Sequence, residues 1–157
     1  MSEVIIYTDG SCSSQDGSGG YGAILISNGR ELIVTGHVSN TTNNRMELMA
    51  AVAGLAALKR RRRRRWKVKL YSDSAYLVNC FQCGWIPNWR AHEWMTYSGK
   101  PVANRELWET LESLVSLFDV EFIHVKGHSG HALNERADQI ASEARKEGLT
   151  ANAALGD

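Results

Sequence analysis

The sequence is short of the residues that staple, hinge or anchor a chain. Three cysteines in 157 residues cannot all pair with one another, which argues against a disulfide scaffold and fits a reducing cytoplasm. Two prolines, no Ser-rich stretch and no internal repeat leave no linker to mark, so one domain over residues 1–157 is expected. No apolar run reaches the roughly 18–20 residues that cross a bilayer. The opening Met1-Ser2-Glu3-Val4 lacks the basic-then-apolar signature of a secretory peptide. Acid is absent where base is densest. Nine of the 18 Lys and Arg residues lie between Lys59 and Lys69, and the other 146 residues carry nine bases against 17 acids, a balance of −8. A total of +1 thus hides an acidic body with one basic block.

What is present reads as alternating strands and helices. Hydrophobic residues make up 43% of the chain, too many for disorder. Val4 to Tyr7 is a β-branched run that stops at Asp9-Gly10, a strand followed by a turn signal. Tyr21–Ser27 and Glu31–Val38 flank Asn28-Gly29, a strong hairpin signal. Asn43 to Lys59 has Leu48, Val52 and Leu55 at helical spacing, with Met49 and Ala56 beside them. A strand is expected at Val68–Ser72, a helix from Ser74 to about Phe81, and an irregular or short-helical stretch over Trp85–Gly99. A helix around Leu107–Val115, a strand at Val120–Val125 and a helix over Ala132–Lys146 follow, with a frayed tail from Gly148. This order predicts one mixed sheet with helices packed on it, an α/β domain.

Four acids sit at element ends. Asp9 closes the first strand, Glu47 is expected in the first turn of the long helix, Asp73 closes the fourth strand, and Asp138 lies near the start of the last helix. Ligand sites in such sheets collect at strand ends where connections diverge. Carboxylates converging there repel one another unless a hard cation lies between them, and oxygen-only ligation points to Mg²⁺ or Mn²⁺. Each acid also has a plain structural reading. Asp9-Gly10 makes a turn, Glu47 completes a capping box with Asn44, Asp73 caps the next helix, and Asp138 is a solvated helix residue.

Five segments resemble, in the same order, those of bacterial type 1 ribonuclease H. They are Tyr7-Thr8-Asp9-Gly10-Ser11-Cys12, Gly19-Gly20-Tyr21-Gly22-Ala23, Thr41-Thr42-Asn43-Asn44-Arg45-Met46-Glu47-Leu48, Ser72-Asp73-Ser74 and Val125-Lys126-Gly127-His128. The resemblance runs from about Val4 to Arg145. It implies a ribonuclease H-like fold, a five-stranded mixed sheet with the first three strands antiparallel and helices on both faces. It also implies two-metal hydrolysis of the RNA strand of an RNA/DNA hybrid, leaving 5′-phosphate and 3′-hydroxyl ends. Residue by residue, it makes Asp9, Glu47, Asp73 and Asp138 the ligands of two ions, with Asp9 shared. It makes His128 the loop histidine that aids proton transfer or product release. A monomer is expected. The competing classes are a hybrid-binding module without catalysis, which the full acid set disfavours, and a polynucleotidyl transferase of the same fold.

The 2′-hydroxyl is the handle that distinguishes RNA from DNA, and amides match its donor and acceptor. The resemblance places Asn43 and Asn44 at the minor groove, and Thr42, Arg45 and Asn104 at phosphates. It assigns Trp85 and Trp89 to the grip on the DNA strand; packing of Trp89 and Trp94 against the domain is the alternative. Gln15 stands in for an amide contact in a first loop that has Asp16 where the family pattern has proline. Ala75 stands where a glutamine often meets substrate, and Arg90–Lys100 is poorer in lysine than that pattern. Cys80-Phe81-Gln82-Cys83 lacks a second ligand pair for zinc, so at least one of its cysteines is expected in the core.

Lys59 and the six arginines Arg60–Arg65 follow the long helix. Helix rise puts Arg60 about 20 Å from Glu47, too far for direct chemistry. The run reads either as a solvated helix end that suits the negative pole of the helix dipole or as nonspecific phosphate attraction. The second reading predicts that neutralising Arg61–Arg64 flattens the salt dependence of hybrid binding, by a slope of about 0.9 for every phosphate that the run neutralises. An unchanged slope in a binding titration against salt would refute phosphate attraction.

Overall fold

The computed structural model describes residues 2–59, 65–126 and 132–156. The chain runs β1 (Ser2–Cys12), β2 (Gly19–Ser27), β3 (Arg30–Val38), α1 (Asn43–Lys59), β4 (Trp66–Ser72), α2 (Ala75–Gln82), α3 (Trp85–Ala91), α4 (Arg105–Val115), β5 (Asp119–His124) and α5 (Ala132–Gly156). The five strands form one sheet ordered β3-β2-β1-β4-β5. β1 to β3 are antiparallel, and β4 lies parallel to both β1 and β5. The hairpin closes at Asn28-Gly29, with Ser27 paired to Arg30 and φ of 51° and 73° at the two turn residues. Positive φ at both positions is what a two-residue turn matching strand twist requires.

Alternation along the strands sends side chains to two faces. Val4, Ile6, Ala23, Leu25, Val68 and Leu70 meet Leu48, Leu55, Leu58, Trp108 and Leu111 in the main core, on the side of α1 and α4. Tyr7, Ile24 and Ala137 form a smaller core under α5, with Ile26, Tyr71, Leu133 and Ile140 around them. The long helix buries Met46, Ala50 and Ala51 as well as Leu48 and Leu55, while Val52 is only half-buried. Cys80 is in the core and Cys83 is exposed.

Two expectations are corrected. β1 does not stop at Asp9 but continues to Cys12, because Asp9 to Cys12 pair with Gly22 to Gly19 of β2. Only the parallel pairing with β4 stops earlier, at Tyr7–Tyr71. The last helix does not stop at Lys146 but continues to Gly156. Ala-rich sequence without proline permits this, and the buried Gly148 brings the helix against the His37 ring of β3.

Two glycines set the distances between layers. A Cβ on Gly10 would lie 2.5 Å from the Glu47 nitrogen, so α1 crosses β1 in contact with its backbone. A Cβ on Gly20 would lie 2.3 Å from the Ala141 carbonyl oxygen and 2.4 Å from the Arg145 nitrogen. Backbone on both sides leaves no flexible group to yield. Gly20→Ala is therefore expected to lift α5 from β2 and to cost about 1–3 kcal/mol in urea denaturation. A wild-type midpoint would show that α5 is not seated as closely as this.

Candidate functional site

Three connections deliver acids to one point. Tyr7 and Tyr71 are the last paired residues of the parallel strands, and two positions further on stand Asp9 and Asp73. There β1 continues with β2 while the other chain turns away, so a crevice opens between them. Ser74 makes that turn. Its hydroxyl accepts from the Leu77 amide as the cap of α2, and its own amide donates to the Ser72 hydroxyl. Capping therefore falls to Ser74 and leaves the Asp73 carboxylate for the crevice. Contact with Gly10 brings the first turns of α1 across the strand end and places Glu47 beside Asp9.

Oxygens of Asp9, Glu47 and Asp73 lie within 4.8 Å of one another. Asp138, half-buried on α5, lines the same cleft, whose volume is about 380 Å³. Asp9 and Glu47 are 3% and 4% exposed, so neither charge is stabilised by bulk water. Burial first, then the facing carboxylates, pushes the Asp9 carboxyl far above its ordinary range. Burial and Asp73 push Glu47 up as well. The Glu47 Oε2 atom is buried without a hydrogen-bond partner. A fully ionised set at this spacing needs positive charge among its oxygens. An oxygen-only donor set with an orphaned acceptor fits a hard divalent cation held by Asp9, Glu47 and Asp73.

The other expected residues divide. Asn43 and Asn44 line the cleft with the acids, as do Ala75 and Tyr76. Asn44 is not the helix cap: the Thr42 hydroxyl accepts from the Arg45 amide and takes that role. The capping-box reading of Glu47 fails with it. Arg45 donates to Asn104 Oδ1 at 3.1 Å and pairs with Glu106 at 2.6 Å. Asn104 in turn donates to the Tyr76 hydroxyl, which also accepts from the Trp108 indole. Sequence reasoning missed Tyr76, because nothing near it in the chain signals a hydroxyl that ties α2 to Asn104 and Trp108 at the start of α4. His124 was also missed; its Nε2 is 3.2 Å from the Asp73 carbonyl oxygen. Gln15 is exposed in the β1–β2 loop and does not line the cleft. His128 and Arg60–Arg64 lie outside the described residues.

Trp94 is buried, at 5% exposure, so the packing alternative holds for it. Trp89 sits between Trp85, Trp94 and Trp108, with ring centroids 5.7 to 5.9 Å apart. Trp85 and Trp89 nevertheless keep one side on a surface cavity of about 610 Å³, shared with Asn88, His92 and Tyr97. Cations nearby are engaged: Arg90 pairs with Glu112, and Arg105 pairs with Glu109 while lying 5.0 Å over Trp94.

A family model described as RNase H matches residues 1–146. The chain is 44% identical over 147 residues to a ribonuclease H of Desulforamulus reducens, covering 94% of this chain and 90% of that protein. It is 47% identical over 144 residues to one from Chlorobaculum parvum, covering 92% and 96%. Among solved structures, LC9-RNase H1, a type 1 RNase H with the type 2 active-site motif, superposes with a TM-score of 0.82 at 29% identity, over 94% of this chain and 74% of that one. LC11-RNase H1 in complex with RNA/DNA hybrid shares the fold, with a TM-score of 0.72 at 23% identity over 93% and 99% of the two chains. With a matching model over residues 1–146 and relatives of this identity along nearly its whole length, the chain belongs to the ribonuclease H family of nucleases.

Proposed function

We propose that the chain is an endoribonuclease that hydrolyses the RNA strand of RNA/DNA hybrids with two divalent cations, Mg²⁺ or Mn²⁺, leaving 5′-phosphate and 3′-hydroxyl ends. The observation that carries this reading is the cluster of Asp9, Glu47 and Asp73 oxygens within 4.8 Å of one another, in a cleft also lined by Asn43 and Asn44. The hybrid bound by LC11-RNase H1 supports the substrate class.

Divalent ions bound by these acids would supply an activated water and charge stabilisation for the leaving oxygen of a phosphodiester. Asp9, Glu47 and Asp73 would hold the ions, with Asp138 facing the same cleft. Burial of Asp9 and Glu47 strengthens this grip, since less water competes for the same charge. Asn43 and Asn44 stand on the first turn of α1, where their amides read the 2′-hydroxyl of the strand in the cleft. Thr42, Arg45 and Asn104 receive neighbouring phosphates, and Trp85 and Trp89 offer ring surface to the DNA strand. Gln15 adds an amide contact from the β1–β2 loop, and His128 aids proton transfer. The enzyme works as a monomer in the cytoplasm.

Labelled hybrid incubated with Mg²⁺, with Mn²⁺ and with EDTA, beside duplex DNA, tests this. RNA-strand cleavage is expected with either ion and none with EDTA or on duplex DNA. Cleavage in EDTA, or equal cleavage of DNA, would overturn the assignment. Asp9→Asn should abolish activity and, in EDTA, raise the thermal midpoint by a few degrees, about 1–2 kcal/mol, because the folded state must either take up a proton on Asp9 or bear its repulsion, and asparagine requires neither. A midpoint lower than wild type in EDTA would mean that the carboxylates are not in repulsive contact.

A further inference from the structure

We propose that Asp16 is a positioning residue for the cleft: it fixes the β1–β2 loop in the shape that braces the start of α1 against α5. This rests on the ribonuclease reading for its effect on catalysis, but not for the brace itself.

The rim of the cleft is built from two helices. Asn43, Asn44 and Glu47 come from α1, and Asp138 comes from α5. Between them runs the Ser13–Ser18 loop. On one side, the Gly17 carbonyl accepts from the Thr41 amide at 2.9 Å, and the Cys12 thiol lies 3.4 Å from the Thr41 carbonyl. Thr41 precedes Thr42, whose hydroxyl caps α1. On the other side, Arg145 Nη1 donates to the Ser18 hydroxyl at 3.2 Å. Arg145 lies two helical turns after Asp138 on α5, hence on the same side of that helix.

The loop must hold a defined shape to transmit these contacts, and Asp16 supplies it. Asp16 Oδ1 accepts from the Ser18 amide at 2.8 Å and from the Ser18 hydroxyl at 2.5 Å. A carboxylate that accepts from the amide two residues on closes a turn of the kind aspartate favours. The same two bonds turn the Ser18 oxygen so that its lone pairs face Arg145. The loop closes on itself through Ser13, whose amide donates to the Ser18 carbonyl and whose carbonyl accepts from the Gly17 amide. Gly17 meets the turn with φ of +71°. The Ser18 hydroxyl and amide, with Arg145 behind them, hold the Asp16 carboxyl below the ordinary carboxylate range. Asp16 is itself exposed and touches none of the cleft acids, so its influence passes through Ser18 and Gly17.

Three proteins distinguish this from a merely structural role: wild type, Asp16→Ala and Asp16→Asn. Asparagine keeps an Oδ1 acceptor, so it is expected to preserve both bonds to Ser18. Asp16→Ala should raise KM for hybrid about fivefold with kcat within about twofold of wild type, and Asp16→Asn should stay within about twofold on both. Amide exchange at Ser18 and Thr41 should quicken about tenfold or more in Asp16→Ala, with the α1 interior at Leu55 unchanged. Unaltered KM and exchange in Asp16→Ala would overturn the proposal. So would an Asp16→Asn protein as impaired as Asp16→Ala, or a proportional fall in kcat and thermal midpoint. A wild-type protein that fails to cleave hybrid would instead strike the ribonuclease reading, and the exchange measurement would still decide whether Asp16 holds the loop.

Discussion

Mutual repulsion among buried carboxylates is the constraint on which the rest of this structure turns. Asp9 and Glu47 are nearly inaccessible to water and face Asp73 within 4.8 Å. Left to themselves they would separate or take up protons. They stay because the backbone beneath them cannot move. Glu47 is held against β1 through the missing side chain of Gly10, and Asp9 lies in a strand paired on its β2 side through to Cys12. The apolar contacts that pin these elements lie elsewhere, around Leu55, Val68, Leu70 and Trp108. Stability made in the core is thus set against repulsion held at the sheet end, and a divalent cation bound there would convert that repulsion into binding energy.

The local chemistry of the fold was legible wherever neighbouring residues decide it. Asn28-Gly29 specified its hairpin because two positive φ angles are needed there and these residues tolerate them. The spacing of Leu48 and Leu55 announced the buried face of α1. Legibility failed where the deciding partner is remote in sequence. Asp9-Gly10-Ser11 reads as a turn, yet pairing with Gly20–Gly22 carries the strand through it. The tail after Gly148 reads as frayed, yet a close seat on His37 of β3 accompanies a helix that goes on to Gly156.

The same division runs through the site. Four acids at element ends were visible in the sequence, and three share one point in space. Their plain readings could not be dismissed until competing groups were seen to perform those tasks. Thr42 caps α1, which releases Asn44 and Glu47, and Ser74 caps α2, which releases Asp73. The link from Arg45 through Asn104 to Tyr76 was not legible, since it joins side chains that are 28 and 59 positions apart.

The charge distribution follows from these arrangements. Among the described residues, several cations are already paired: Arg90 with Glu112 and Arg105 with Glu109 near the aromatic surface, and Arg45 with Glu106 beside Asn104. A phosphate approaching any of them must compete with a carboxylate in place, so each contributes less to long-range attraction than a free cation would. What that face offers instead is ring surface on Trp85 and Trp89 and the amide of Asn88. Stacking and amide contacts act at short range and depend little on salt, whereas any attraction from the basic block between Lys59 and Lys69 would act at long range and be screened. On the proposed function, capture and recognition would therefore fall to different parts of this chain. The sequence that follows α1 holds most of the concentrated positive charge, while Asn43 and Asn44 of the first turn of α1 line the cleft.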